Sequence, residues 1–122
     1  MERTIAHRGA VLTVTYAVAS NRTSPGLVFY EGLSVRDQAK MNKLFMWLGD
    51  HGWIKNDQKF KPIEGSDFFE FKSFQIRMPC YRSGNLMIIT HGFIKKTGPI
   101  SPEELKRAER FRNEDQIVFR NE

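Results

Sequence analysis

The chain has 122 residues, of which 40% are apolar, including ten Phe, two Trp and three Tyr, and it carries a net charge of +5. That length fits one domain (1–122) with a modest core and leaves little room for a second. A lone cysteine, Cys80, excludes an internal disulfide framework and a multi-cysteine zinc site; residues 1–8 lack a signal peptide's apolar core, and no apolar run approaches the ~20 residues that cross a bilayer, so a cytoplasmic setting without a membrane partner is expected.

Residues 11–18, Val-Leu-Thr-Val-Thr-Tyr-Ala-Val, alternate large apolar side chains with smaller or polar ones and predict a strand. The run 20–26 is rich in Ser, Asn, Thr, Pro and Gly and reads as a loop, and 27–33 as a short helix. Ser34 is placed to cap a helix with Asp37 at its third position. Met41, Leu44, Phe45 and Leu48 then recur at helical spacing, and Gly49 and Gly52 supply the stop, giving a helix over 35–48. A polar connector with three lysines spans 53–66. Strands are predicted over 68–72 and 74–81. In the second, Phe74, Ile76, Met78 and Cys80 share one face, and Gln75, Arg77, Pro79 and Tyr81 the other. Pro79 predicts a bulge or early fraying there. Ser83-Gly84-Asn85 is a turn, and 86–93 reads as a buried strand that completes an antiparallel meander. Ser101-Pro102-Glu103-Glu104 opens a helix expected to reach Arg112, with Gln116 to Phe119 either a short strand or loose.

The order is α+β: an N-terminal strand, a pair of helices, a meander sheet and a C-terminal helix. One helix face and one sheet face share a core, and the opposite sheet face, carrying Arg77, is left open. The charge concentrates on that half. Residues 1–71 carry nine basic and eight acidic side chains, 72–112 nine and three, and 113–122 one and three. A localised field of +6 suits a polyanion such as RNA, an acidic protein or an anionic surface; the plain alternative is a solvated basic face.

Several motifs here resemble those of HigB-like toxins, the phage-derived branch of the RelE/ParE superfamily. Phe69-Glu70-Phe71-Lys72 resembles that family's aromatic-Glu-Leu-Arg strand, and Ile76-Arg77 its Tyr-Arg strand. Ile88-Ile89-Thr90-His91-Gly92-Phe93-Ile94-Lys95-Lys96-Thr97 is similar to its His-Gly-Phe-x-Lys-Lys-Thr signature, and Pro102-Glu103-Glu104-Leu105-Lys106-Arg107-Ala108 to the helix that follows. Leu48-Gly49-x-x-Gly52 ends a helix where the family has one. The resemblance spans residues 27–112 and, more loosely, the N-terminal strand. Lys72 departs from the usual Arg, Pro79-Cys80 from hydrophobic strand residues, and 113–122 matches nothing. It implies a RelE-like fold and the toxin of a type II toxin–antitoxin system: a metal-independent, cofactor-free endoribonuclease that cleaves mRNA on the ribosome and inhibits translation, restrained by a helix-turn-helix antitoxin. Other members poison DNA gyrase, so a non-enzymatic toxin or a catalytically degenerate member stays open.

Cleavage by the ribose 2′-hydroxyl needs a proton acceptor, charge stabilisation on the phosphoryl oxygens and help for the departing oxygen. Lys72, Arg77 and Lys95 are the matching candidates, with His91, whose titration range suits acid–base work. Arg77 is expected to project from the open face and hold a phosphate, or else to pair with Glu70 on the neighbouring strand. Lys72 serves as a base or as a solvated strand-end lysine. Glu70 orients Lys72, accepts a proton or makes a structural pair. His91 is alternatively a buried, neutral, hydrogen-bonded residue. Of Lys95 and Lys96 one should face the cleft. Lys96 is a candidate RNA contact, Tyr81 a base-stacking one, and Lys106, Arg107 and Arg110 non-specific phosphate contacts. Cys80 is read as core.

Overall fold

The computed structural model describes residues 1–120. Strands β1 (Ile5–Arg8) and β2 (Thr13–Tyr16) precede helices α1 (Pro25–Glu31) and α2 (Val35–His51); β3 (Phe60–Pro62), β4 (Phe69–Ser73), β5 (Ile76–Ser83), β6 (Leu86–Ile89) and β7 (Phe93–Ile94) follow, and α3 (Pro102–Arg120) closes the chain. They form one mixed sheet in the order β1-β2-β6-β5-β4-β3, with β7 pairing β5. Among the described strands only β2 and β6 pair in parallel. This is the α+β architecture expected, with corrections. The strand over 11–18 is the shorter second arm of a hairpin. β1 and β3, too short and too polar to alternate visibly, were not foreseen. The strand over 86–93 is interrupted at residues 90–92. The described helix α3 runs to Arg120, so Gln116 to Phe119 is helical. None of the described helices is long and apolar enough to cross a membrane.

Ser34 caps α2 as its sequence predicts, its hydroxyl accepting from the Asp37 amide at 3.1 Å. The helix ends at Gly52, whose φ of 80° is the left-handed conformation that glycine adopts without strain. Gly49 does not stop the helix. It lies within it, and its carbonyl accepts from the amides of Val11 and Leu12 at 2.9 and 2.8 Å, seating the β1–β2 turn on the helix. That approach needs glycine on both sides, since a Cβ on Gly9 would fall 2.1 Å from the Gly49 carbonyl carbon.

One sheet face packs on α1 and α2 through Val14, Tyr16, Phe60, Phe71, Ile76, Met78, Cys80, Met87 and Ile89, against Met41, Phe45 and Leu48. The alternation of β5 therefore holds through Pro79, and no bulge or fraying occurs. Pro79 sits opposite Glu70 in the β4 ladder and directs its carbonyl the other way, where it accepts from the Thr90 amide at 2.9 Å. Its missing N–H thus points at the gap between β6 and β7, where little ladder bonding is lost. Phe74 is a correction. The Ser73–Ile76 pair makes Phe74 and Gln75 a two-residue turn, with Phe74 at φ 53° and 83% exposed rather than inward.

Candidate functional site

The second sheet face decides what is available to a ligand. Its side chains stand in rows across β3, β4 and β5, which the strand register sets out: Lys61, Glu70 and Pro79 in one, Lys72 and Arg77 in the next. At one end of this face α3 packs down, and Ala17, Ile63, Phe68, Tyr81, Ile88 and Ala108 form a second core, with Leu105 against it. The charged rows lie beyond the start of α3. The face predicted to be open is therefore half closed.

What stays open is a groove in two parts that meet at Lys61 and Pro99. One part, about 630 Å³, is lined by Lys59, Lys61, Lys72, Arg77 and Lys96 with Gln58, Phe74 and the 97–99 turn. The other, about 730 Å³, is mostly apolar, with Pro62, Ile63, Ile100, Pro102 and Leu105 around the carboxyls of Glu70, Glu64 and Asp57. Five cations and a buried carboxylate thus face one depression. Compared with models of protein families the chain matches none, and comparison with curated proteins finds no match. The site's chemistry has to be read from its own atoms.

Arg77 does not project into solvent. It is 6% exposed, and its Nη1 donates to the carbonyls of Phe74 and, at 2.9 Å, Ile76. Its Nε lies 3.9 Å from a Glu70 oxygen and has no hydrogen-bond partner among the described residues. A guanidinium folded back this way clamps the β4–β5 turn while one edge lines the groove. The expectation of a projecting Arg77 is corrected, because its guanidinium is drawn back to the carbonyls of Phe74, in the turn, and Ile76, at the start of β5.

Glu70 is 3% exposed, and burial lifts its carboxyl above its ordinary range against the pull of Lys61, Arg77, Lys72 and Lys95. Lys72 moves the other way. Partial burial, then Lys61 and Arg77, lower its pKa, and Glu70 and Asp57 oppose them. Its ammonium has one long hydrogen bond, to the Asp57 carbonyl at 3.4 Å. Both shifts favour the uncharged forms, the carboxylic acid of Glu70 and the free amine of Lys72, relative to the same groups in water. Of the adjacent lysines, Lys96 lines the cationic part, whereas Lys95 reaches it only through its field at Glu70.

Two predicted site residues lie under α3 instead. Tyr81 is buried and donates its hydroxyl to Asp115 at 3.0 Å, so it cannot stack on a base. His91 is 1% exposed, 3.0 Å from the Thr90 hydroxyl and 3.3 Å from Glu104, between the rings of Phe93 and Phe111. Neither reaches the groove. The contact of Tyr81 with Asp115 follows from the length of α3, which residues 113–120 extend past the predicted end, whereas His91 is covered by Glu104 and Phe111 within the predicted helix. Lys106, Arg107 and Arg110 are exposed on the outer side of α3, where Arg107 pairs with Glu104 and Arg110 with Glu114. Lys59 and Lys61 were missed as site residues. Their signal was present in Lys59-Phe60-Lys61, where a lone aromatic between two lysines marks one buried position and two outward ones.

The environment of His91 makes stability depend on pH. Burial lowers its pKa to about 4, assisted by Arg107 and Arg110 and opposed by Glu104. The unfolded chain, with a histidine near the usual ~6.5, takes up that proton first. The stabilisation is therefore complete above about pH 6.5 and is lost as pH falls toward the folded value. The unfolding free energy measured in urea should fall across this window at a limit of about 1.4 kcal/mol per pH unit, and His91→Gln should flatten the slope. Parallel profiles for the two proteins would show that His91 does not titrate on unfolding.

Proposed function

We propose that the groove binds the phosphate backbone of mRNA and that this chain is the toxin of a type II toxin–antitoxin system, a ribosome-dependent mRNA endoribonuclease that inhibits translation. The observation that carries the reading is the convergence of Lys59, Lys61, Lys72, Arg77 and Lys96 on one depression beside the buried Glu70. It stands with the sequence's resemblance to HigB-like toxins.

In this reading the lysines hold and neutralise the phosphoryl oxygens as negative charge develops. The 2′-hydroxyl gives its proton to Glu70 or to neutral Lys72. Its oxygen bonds to phosphorus, the bond to the 5′-oxygen breaks, and a protonated lysine supplies the departing oxygen with its proton. The products carry a 2′,3′-cyclic phosphate and a 5′-hydroxyl. The chain acts in the cytoplasm, and a helix-turn-helix antitoxin holds it inactive.

Induction of the chain alone in bacteria should arrest growth, and primer extension should then find new 5′ ends on translated messages but not on the same RNA free of ribosomes. Full growth at confirmed soluble expression would rule out an active toxin. A second reading, a non-enzymatic toxin such as a gyrase inhibitor or a degenerate member, is favoured by the commitment of Arg77 to backbone carbonyls. Growth arrest with intact messages would establish it.

A further inference from the structure

The outer side of α2, on the other side of the sheet from the groove, carries a second charged surface. Arg36, Lys40, Lys43 and Trp47 are all exposed and follow one another at four, three and four residues, so they form one stripe along the helix, one turn or about 5.4 Å apart. At its end Trp47, 54% exposed and tilted at 42° against the His51 ring with 4.2 Å between ring centroids, faces Trp53, 41% exposed, across a cleft of about 460 Å³ that His51 and Lys55 also line. Of the acidic side chains of α2, Asp50 is engaged by His7 at 2.9 Å and by the Ala10 amide, whereas Asp37, beside Arg36 and three residues before Lys40, offsets one of the three cations and leaves the stripe positive. Trp53 packs edge-on against Phe60 and Phe69, at 5.1 and 5.7 Å between ring centroids, but these contacts leave its outer part, and more than half of Trp47, open beside the cation stripe.

We propose that this face is a second nucleic-acid surface, in which Arg36, Lys40 and Lys43 track the phosphates of an RNA strand while an unpaired base enters the cleft between Trp47 and Trp53. Charge complementarity calls for a polyanion. An acidic protein would satisfy the charge, but two of the three cations are lysines, which protein interfaces disfavour at their centres, and an open pair of indoles offers a sequence-tolerant stacking platform. The surface is independent of the groove, so the chain could hold one RNA segment there and another here.

The chain's only two tryptophans both lie in this cleft, so indole emission reports on it alone. Titration with a fluorescein-free, unstructured 20-nucleotide RNA should quench that emission, with an affinity that falls steeply as salt rises. Reversing two exposed charges, Lys40→Glu with Lys43→Glu, should weaken the quench-reported affinity roughly tenfold or more while leaving the fold intact. Trp47→Ala should weaken it at least about fivefold through lost stacking. Alanine at Lys72 and Lys96 should leave the quench unchanged. RNA binding detected by anisotropy of labelled RNA with no change in emission would overturn the proposal without touching the groove, as would quenching by poly-glutamate equal to that by RNA. Loss of quenching in the Lys72/Lys96 variant would also overturn it, since one surface would then explain both.

Discussion

Lys72→Ala is expected to reduce ribosome-dependent mRNA cleavage by about 100-fold or more and to leave thermal unfolding nearly unchanged, within about 0.5 kcal/mol. The two halves of this expectation rest on different observations. Lys72 is only partly buried, and its single hydrogen bond, 3.4 Å to the Asp57 carbonyl, is too long to matter much for folding. Yet it lines the cationic part of the groove beside Arg77, and burial and its cationic neighbours make it easier to deprotonate. Arg77→Ala, by contrast, should lose activity and stability together, by about 2–3 kcal/mol. It strips the turn carbonyls of their donor and leaves Glu70 without its nearest cation. The pair of variants separates chemistry from scaffold, with urea unfolding measured beside primer extension. Wild-type cleavage by Lys72→Ala would remove Lys72 from the reaction. An Arg77→Ala protein that melts like wild type would show that the turn clamp contributes nothing.

The contrast between these two residues shows what the sequence could and could not convey. Alternation along β5 placed Arg77 and Tyr81 on the face opposite Met78 and Cys80, and that parity is observed, because a period of two survives even a proline whose missing donor falls in a gap. The capped start of α2 and the Pro102 start of α3 were legible for the same reason: the determinants are local. What alternation does not encode is which part of a face another element will cover. Leu105, Ala108 and Phe111 looked like a narrow stripe ending near Arg112. The stripe continues through a charged residue, Asp115, and a count of apolar residues stops about two turns before the described end at Arg120. With α3 extended, Asp115 reaches the Tyr81 hydroxyl, while Glu104 and Phe111 of the predicted helix already cover His91, and the open area shifts toward β3, where the alternation of Lys59-Phe60-Lys61 is too short to predict a strand. The side-chain contact that folds Arg77 back depends on a turn conformation, with Phe74 at φ 53°, that nothing in the residue type announces.

Asp115 is where the largest loss of stability is expected, about 3–5 kcal/mol for Asp115→Ala. The residue is fully buried, and its carboxylate draws together four distant parts of the chain. It accepts from the Arg3 guanidinium at 2.8 Å through Nη2 and at 3.1–3.2 Å through Nε, from the Val18 amide at 2.8 Å and from the Tyr81 hydroxyl at 3.0 Å. The Arg3 guanidinium also lies 3.9 Å above the Phe119 ring, so the N-terminal segment and the last turns of α3 are held as one unit. Alanine would leave a buried amide and a buried phenol without acceptors and a part-buried cation without its anion, each a separate cost. Asp115→Asn keeps the shape but replaces one acceptor oxygen with a donor that faces other donors, so it should recover only part of the loss. In a double-mutant cycle with Arg3→Ala, the second substitution should cost much less in the Asp115→Ala background than alone, because the stranded charge has been removed with it. Urea unfolding of the four proteins measures the coupling, and amide exchange at Val18 locates it. Additive losses, or a Val18 amide equally protected in Asp115→Ala, would show that α3 is held by its apolar stripe and that the carboxylate only follows.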